Sequence, residues 1–148
     1  MAKSTPRIGF LGAGQMATAL TKGFLKNGGF TTDDLLAADP QDSAQSRYFK
    51  ATNVTALDNN VDVVLGCEVI ILAVKPQVLS SVMEEIREHL TPDHLVISIV
   101  AGVPMAKLHE GLGDDVRLIR VMPNTSCLIA QGASAFCISE MLPKPTWN

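Results

Sequence analysis

Short apolar runs separated by amphipathic stretches organise most of this chain. The run Val69–Val74 shows no polar alternation, which is typical of a strand buried on both faces of a parallel sheet. The first run, from Arg7, stops at Gly12, and a glycine at that point indicates a turn. The predicted strands are Arg7–Leu11, Leu35–Asp39, a short run at Val54, Val69–Val74, Leu95–Val100, Val116–Met122 and a weaker Ser134–Ile138.

The stretches between these runs have helical spacing. Met16, Leu20 and Phe24 lie four residues apart, and a pair of glycines after Asn27 ends that pattern in the usual way. Pro76 stands at a natural first helical position. The predicted helices are Thr18–Asn27, Gln41–Lys50, Asp58–Leu65, one that follows Pro76, and Pro104–Gly111. Alternating strands and helices predict an α/β fold with a doubly wound parallel sheet, the Rossmann type.

The turn after the first predicted strand has the spacing G-x-G-x-x-A. Gly12 permits the tight turn, Gly14 lets the backbone approach a pyrophosphate, and Ala17 lets the helix pack close to the sheet. The helix start then offers unpaired N–H groups and a partial positive charge to phosphates. The pattern therefore predicts a dinucleotide site. A turn that binds nothing and an adenosine-binding methyltransferase loop are the alternatives.

An acidic residue, Asp39, ends the second predicted strand. Its position suits hydrogen bonds from the adenine ribose hydroxyls, which would favour NAD over NADP. The alternative is that Asp39 and Pro40 form an Asx turn or cap the next helix. Ser43 and Arg47 are close in sequence and offer partners for a 2′-phosphate, so the sequence leaves the choice between NAD and NADP open.

Two further motifs follow predicted strands. Lys75 comes after the buried fourth strand, and Met122–Asn124 follows the sixth. Ligands of open α/β sheets bind at the carboxyl ends of the strands, so both motifs are placed to contact the ribose and nicotinamide side of a coenzyme. A solvated charge at a strand end and an ordinary Pro-Asn turn are the corresponding structural interpretations.

Composition restricts the class of protein. The chain has 148 residues, 47% of them hydrophobic and 18% charged, which predicts a folded domain. A net charge of −3 and 5% aromatic residues argue against nucleic acid and anionic membrane partners. Three cysteines without metal-ligand spacing predict buried thiols in a reducing compartment and no metal site. No run is long enough to span a bilayer, so we expect a cytoplasmic protein.

The motifs together resemble the pyrroline-5-carboxylate reductase family. The resemblance extends from about Arg7 to about Ile138, and its most specific part is Arg120–Thr125. It is carried by Phe10–Ala17, Ala73–Pro76, Ala101–Val103 and Arg120–Thr125, followed by Gln131 with Gly132 and Ala133. It implies an oxidoreductase of proline biosynthesis that transfers a hydride from NAD(P)H to the C=N bond of 1-pyrroline-5-carboxylate and yields L-proline.

The resemblance also implies roles for individual residues, all of them in coenzyme binding. Gly12, Gly14, Gln15 and Met16 would hold the pyrophosphate, and Asp39 and Asn60 the adenosine end. Ala73, Lys75 and Pro76 would line the ribose and nicotinamide side, and Met122, Pro123 and Asn124 the wall where nicotinamide and substrate meet. No catalytic residue is expected within this chain.

The end of the chain departs from the family pattern. We expect residues 1–138 to form the dinucleotide-binding domain and residues 139–148 an atypical tail, in which Pro143 and Pro145 oppose a helix. We expect the helical domain that gives the family its substrate loop and homo-oligomers to be absent from this chain. We therefore expect weak coenzyme binding, no turnover and poor stability for the chain alone. The alternatives are a non-catalytic module that pairs with a full-length reductase, and a β-hydroxyacid dehydrogenase, whose glycine spacing differs.

Overall fold

The structure, a computed structural model, describes residues 4–123 and 134–139. Its strands are β1 (Ile8–Leu11), β2 (Leu35–Ala38), β3 (Ala56–Leu57), β4 (Val69–Leu72), β5 (Leu95–Ser98), β6 (Arg117–Pro123) and β7 (Ser134–Ile138). Its helices are α1 (Gln15–Asn27), α2 (Asp42–Thr52), α3 (Asn60–Gly66), α4 (Leu79–Ile86) and α5 (Met105–Leu112). Short 3₁₀ turns lie at Thr32–Asp34, Pro76–Val78 and Arg87–His89.

All seven strands form one sheet in the order β3-β2-β1-β4-β5-β6-β7. The first six are parallel, and Ile8 of β1 lies opposite both Leu35 of β2 and Val69 of β4. The winding reverses between β1 and β4, which makes their carboxyl ends the switch point of a doubly wound sheet. The predicted Rossmann-type fold is confirmed.

The edge strand β7 differs from the all-parallel expectation, because it runs antiparallel to β6. Only residues 124–133 separate the two strands. A parallel return needs a crossover of about a dozen residues or more, usually with a helix, so a connection this short favours the antiparallel arrangement.

The third strand also lies later than predicted. Helix α2 ends at Thr52, and its C-cap residue, Asn53, has a left-handed backbone with φ of 60°. Val54 then packs fully buried near Tyr48 on one face of the sheet, and the strand pairing begins only at Ala56. Val54 is therefore a core residue that precedes the strand.

The sheet separates two apolar cores. Helices α3, α4 and α5 cover one face, where Val63, Val82 and Leu108 are buried. Helices α1 and α2 cover the other, where Ala17 and Tyr48 are buried. Because successive strand residues point to opposite faces, Ile70 and Leu72 belong to the first core and Ile71 belongs to the second. Both faces are thus closed, as the continuous apolar runs predicted.

Two cysteines fall among the described residues. Cys67 is buried at the end of α3, and burial raises the pKa of its thiol to about 11. Cys137 on β7 is exposed, which contradicts the expectation of a buried thiol. Because edge strands place one row of side chains outside the core, the apolar character of the run did not fix the burial of this residue. Cys127 lies outside the described residues.

Glycine at position 9 allows α3 to pack directly on β1. A Cβ atom at Gly9 would overlap the Cγ1 atom of Val63 and lie 3.1 Å from the Sγ atom of Cys67. Val63 is fully buried and β-branched, so its side chain has little freedom to move away. Only a residue without a side chain fits this position.

We expect Gly9→Ala to lower the free energy of unfolding by about 1–3 kcal/mol through overpacking. Gly23→Ala in α1 is the matched control, because a Cβ atom there meets nothing within 4 Å. The control replaces a helix-interior glycine and should raise the free energy of unfolding by about 0.5–1 kcal/mol. Urea denaturation measures both changes, and equal effects of the two substitutions would contradict the packing argument.

A buried hydrogen bond joins the two helices of the second core. The hydroxyls of Thr21 and Tyr48 lie 2.7 Å apart, and both side chains are fully buried. Burial raises the pKa of Tyr48 to about 12, and the hydrogen bond with Thr21 lowers it in part. An ionised phenol is therefore disfavoured in the folded protein.

Tyr48 should make the folded state sensitive to alkaline pH. An unfolded tyrosine ionises near pH ~10, so above that pH the unfolded chain loses a proton that the folded chain keeps. The contribution of Tyr48 to the free energy of unfolding is then fully present below about pH 10, and it is lost as the pH rises toward the folded pKa. Tyr48 is the only tyrosine, so tyrosinate absorbance reports it alone. We expect a midpoint near 12 in the folded protein, and one near ~10 in urea. A folded midpoint equal to the urea value would contradict the burial argument.

Candidate functional site

The turn after β1 is held between the ends of β2 and β4. The Gly12 N–H donates to the Ala38 carbonyl at 2.8 Å, and the Ala73 N–H donates to the Leu11 carbonyl at 2.8 Å. Gly12 has φ of 100°, and a Cβ atom there would lie 2.6 Å from the Ala73 carbonyl oxygen. Both the left-handed backbone and the close approach require glycine.

The start of α1 is open. Gly14 is its N-cap, with an extended backbone and no side-chain cap, and a Cβ atom there would meet nothing within 4 Å. Gln15 is exposed and Met16 half-buried, and the first turn contains no acidic residue. The first N–H groups of a helix have no intrahelical partner. This end of α1 therefore presents donors and a positive dipole end toward open space.

The Asp39 carboxylate accepts two backbone N–H groups, and one of these bonds is the Asx turn that the sequence offered as an alternative to ribose binding. One carboxylate oxygen accepts the Gln41 N–H at 3.0 Å, which closes the expected Asx turn. The other accepts the Ala13 N–H at 3.1 Å and so fastens the glycine turn to the end of β2. Asp39 is half-buried. The two hydrogen bonds fix the orientation of its carboxylate, and this sets the directions of the lone pairs that remain.

Asn60 lies at the first residue of α3, next to the N-cap residue Asn59. Its side-chain N–H donates to the Glu85 carboxylate on α4 at 2.9 Å. The Asn59 side chain accepts the Val61 N–H at 2.8 Å and caps the helix. Asn60 thus joins two helices, and among the described residues no hydrogen bond links its side chain to the glycine turn.

The end of β4 carries the second predicted motif. Ala73 borders Gly12, Lys75 is exposed beyond it, and Pro76 begins the 3₁₀ turn that leads into α4. The Lys75 carbonyl accepts the Val78 N–H at 3.1 Å, which closes that turn. The lysine side chain therefore extends from the switch point into solvent.

The third motif lies two strands further along the sheet, at the end of β6. Met122 has 42% of its surface exposed. Pro123 ends β6, and only its backbone is described. Asn124 lies outside the described residues, as do Gln131, Gly132 and Ala133. The site wall predicted from Met122–Asn124 is thus described only up to the strand end.

A residue without a predicted role, Arg120, organises this end of the sheet. Its Nε–H donates to the Val103 carbonyl at 2.6 Å, and an Nη2–H points to the Met122 sulfur at 3.1 Å. The bond ties the turn between β5 and α5 to β6, and Gly102 in that turn has φ of 73°. The sequence contained one signal for the contact between Arg120 and Met122. The two residues are two positions apart on a predicted strand, which places them on one face.

Two absences concern other kinds of site. Within residues 4–123 and 134–139, no three His, Cys, Asp or Glu side chains are grouped as metal ligands would be. Over the same residues, no helix has the length and apolar character to cross a membrane.

Comparison with known proteins identifies the family. Residues 7–102 match the family model described as NADP oxidoreductase coenzyme F420-dependent. The chain belongs to this family. The expected resemblance to pyrroline-5-carboxylate reductases is confirmed as well: the enzyme of Pseudomonas aeruginosa is 37% identical over 131 residues, which are 88% of this chain and 48% of that protein.

Solved structures of pyrroline-5-carboxylate reductases are similar to this chain in fold and sequence. The pyrroline-5-carboxylate reductase of Coxiella burnetii superposes with a TM-score of 0.89 at 29% identity, over 95% of this chain and 52% of that one. The Plasmodium falciparum pyrroline carboxylate reductase, solved with NADP bound, has a TM-score of 0.83 at 30% identity, over 94% of this chain and 50% of that one. The chain spans about half the length of the relatives it matches.

We expect Arg120→Ala to release the β5–α5 turn. Backbone amides at 101–103 should exchange faster with solvent, and the free energy of unfolding should fall by about 1–2 kcal/mol. Arg120→Lys should not restore protection, because a lysine has no Nε–H in the guanidinium position.

Arg117→Ala is the matched control on the same strand. Arg117 is half-buried at the other end of β6 and has no side-chain hydrogen bond among the described residues. Hydrogen exchange measured by mass spectrometry compares the three variants. Equal exchange at 101–103 in Arg120→Ala and the wild type would show that the bond does not hold the turn.

Proposed function

We propose that this chain is the coenzyme-binding part of a pyrroline-5-carboxylate reductase. The observation that carries the proposal is the open, uncapped start of α1 beside Gly12, at the switch point of a sheet whose sequence matches these reductases over most of its length. Helix starts at such a switch point are suited to a dinucleotide pyrophosphate.

The reaction proposed for the whole protein is hydride transfer to an imine. When bound, NAD(P)H would supply a hydride to the C=N carbon of 1-pyrroline-5-carboxylate while the nitrogen takes a proton, which would give L-proline and NAD(P)⁺. The residues described here would bind the coenzyme and hold its nicotinamide ring in a fixed orientation toward the substrate. We assign no catalytic residue to this chain.

The glycine turn and the helix start would hold the pyrophosphate. Asp39 would accept hydrogen bonds from the adenosine ribose. Asn60 would serve the same end of the coenzyme through its side-chain oxygen or its second amide hydrogen, since the bond to Glu85 uses only one N–H. The residues proposed for coenzyme binding are Gly12, Gly14, Gln15, Met16, Asp39, Asn60, Ala73, Lys75, Pro76, Met122, Pro123 and Asn124.

The nicotinamide end would extend from β4 toward β6. Lys75 offers a solvated positive charge to the ribose and phosphate groups, and Met122 offers an exposed apolar surface to the ring. Arg120 would keep the intervening turn in place through its bond to Val103. The substrate, the homo-oligomeric assembly of whole reductases and a cytoplasmic location belong to this proposal too.

Gly14→Asp tests the pyrophosphate assignment, because it separates binding from folding. The extended backbone at Gly14 accepts any residue, the space is open, and aspartate is a favourable N-cap. We expect thermal stability to be equal or higher. A fixed carboxylate at the phosphate position should weaken NADH and NADPH binding by roughly tenfold or more.

Gly23→Asp is the control for the added charge. It lies on the same helix nine residues later, about 13 Å along the axis, where a Cβ atom also meets nothing within 4 Å. Calorimetric titration with each coenzyme should find its affinity close to the wild-type value. Unchanged affinity in Gly14→Asp would remove the support for a coenzyme site at this turn.

A further inference from the structure

The segments at the carboxyl ends of β4, β5 and β6 contain cations and no carboxylates. Lys75 is exposed after β4, Lys107 is exposed in the first turn of α5, and Arg120 is half-buried near the end of β6. Residues 73–78, 99–107 and 120–133 include no aspartate or glutamate. Helices α4 and α5, which begin at this edge, also have no acidic residue in their first turns. Their positive dipole ends therefore add to the charge of the cations.

The opposite edge of the same three strands is acidic. Exposed carboxylates precede each strand, although β6 itself begins with Arg117; they are Glu68, Asp93, Asp114 and Asp115. Because the three strands are parallel, their length separates these carboxylates from the cations at the other edge. The charge is thus distributed unevenly across this half of the sheet, with the positive side at the edge of the candidate site.

Arg120 is the cation of this edge that the structure holds in place. Its Nε–H donates to the Val103 carbonyl at 2.6 Å, and an Nη2–H points to the Met122 sulfur at 3.1 Å. Both acceptors are uncharged, and no carboxylate bonds to Arg120 among residues 4–123 and 134–139. A guanidinium is always protonated, and a half-buried one is screened less by solvent than an exposed lysine is. Arg120 therefore supplies a fixed positive charge that these contacts do not neutralise.

The register of the sheet relates Arg120 to the glycine turn. Leu11 of β1 lies opposite Leu72 of β4, Leu72 lies opposite Ser98 of β5, and Ser98 lies opposite Arg120. Adjacent strands are about 4.8 Å apart, so the backbone of Arg120 lies roughly 10 Å from the end of β4 and roughly 14 Å from the end of β1. The charge is thus remote from the start of α1 and lies on the side toward which a dinucleotide would extend from β4.

We propose that Arg120 makes this end of the site selective for the reduced coenzyme, whose nicotinamide ring is uncharged. The inference rests on the proposed function, in which the nicotinamide end extends from β4 toward β6. NAD(P)H and NAD(P)⁺ have the same phosphates, riboses and adenine, and only the oxidised ring carries a positive charge. A fixed guanidinium near the ring therefore disfavours the oxidised form relative to the reduced one. The hydride donor binds more tightly than the oxidised coenzyme that has to leave.

The test compares dissociation constants of the full 148-residue chain for NADH with NAD⁺ and for NADPH with NADP⁺, measured by calorimetric titration. In the wild type the reduced member of each pair should bind more tightly by roughly three- to tenfold, as expected for two unit charges in a partly solvated site. The two members of a pair differ only in the ring, so their affinity ratio does not depend on the choice between NAD and NADP.

Arg120→Gln and Arg120→Lys separate the charge from the hydrogen bond. Both substitutions remove the guanidinium Nε–H that bonds to Val103, but only lysine keeps the positive charge. Arg120→Gln should lower the affinity ratio by roughly twofold or more, toward one, whereas Arg120→Lys should keep most of the wild-type ratio. The same ratio in both variants would show that Arg120 acts only through the turn, and would overturn the proposal.

Arg117→Gln is the matched control. It makes the same change of charge on the same strand, three residues earlier, which is about 10 Å farther from the carboxyl edge. Its affinity ratio should stay close to that of the wild type. A decrease as large as that in Arg120→Gln would assign the effect to the net charge of the chain, and would also overturn the proposal.

A measurement on the wild type tests the same charge without a substitution, in case Arg120→Gln does not fold. Raising the NaCl concentration from ~0.05 M to ~0.5 M shortens the Debye length by roughly threefold. The preference for the reduced coenzyme should then decrease. A preference that is equal at both salt concentrations would contradict its electrostatic origin.

ADP-ribose, which lacks the nicotinamide ring, separates this inference from the function on which it rests. Failure of the wild type to bind ADP-ribose and all four coenzymes would overturn the proposed function, and this inference with it. Binding of the coenzymes with the oxidised member of each pair equal or tighter would overturn the inference alone.

Discussion

The candidate site depends on one close approach of backbone to backbone, between the turn at Gly12 and the end of β4. The Ala73 carbonyl oxygen lies where a side chain at Gly12 would begin, and the N–H groups of Gly12 and Ala73 bond across the neighbouring strands. The start of α1 therefore has a position set by the sheet itself rather than by a flexible loop. Rigid placement of this kind lowers the ordering cost of holding a ligand.

Most of the fold was predictable because its elements are set by local patterns. The apolar run at β4, which has no polar alternation, identifies a buried strand, and Val82 and Ile86, four residues apart in α4, are typical of an amphipathic helix. The errors lie where tertiary context decides: the antiparallel direction of β7, the late start of β3 after Val54, and the exposure of Cys137. The need for glycine at position 9 also depends on Val63, which is distant in sequence.

The site was predictable to the extent that its parts follow strand ends. Parallel strands bring their carboxyl ends to one edge, so Gly12, Asp39 and Lys75 were expected near one another before any contact was known. The partners of side chains were not predictable in the same way. The bond from Asn60 to Glu85 and the bond from Arg120 to Val103 join residues with no local relation, and only the packing of the helices and turns brings them together.

The bonds within the glycine turn also determine which of its donors remain for a ligand. The Gly12 N–H is used by the Ala38 carbonyl and the Ala13 N–H by the Asp39 carboxylate, so both face the end of β2. The donors left for a phosphate begin at Gly14, where α1 starts and the space is open. Asp39 thus lies beside the anion site that we propose without opposing it directly, because its carboxylate accepts backbone N–H groups that do not point toward the proposed phosphate position. A carboxylate and a pyrophosphate can then occupy neighbouring positions at the same sheet edge.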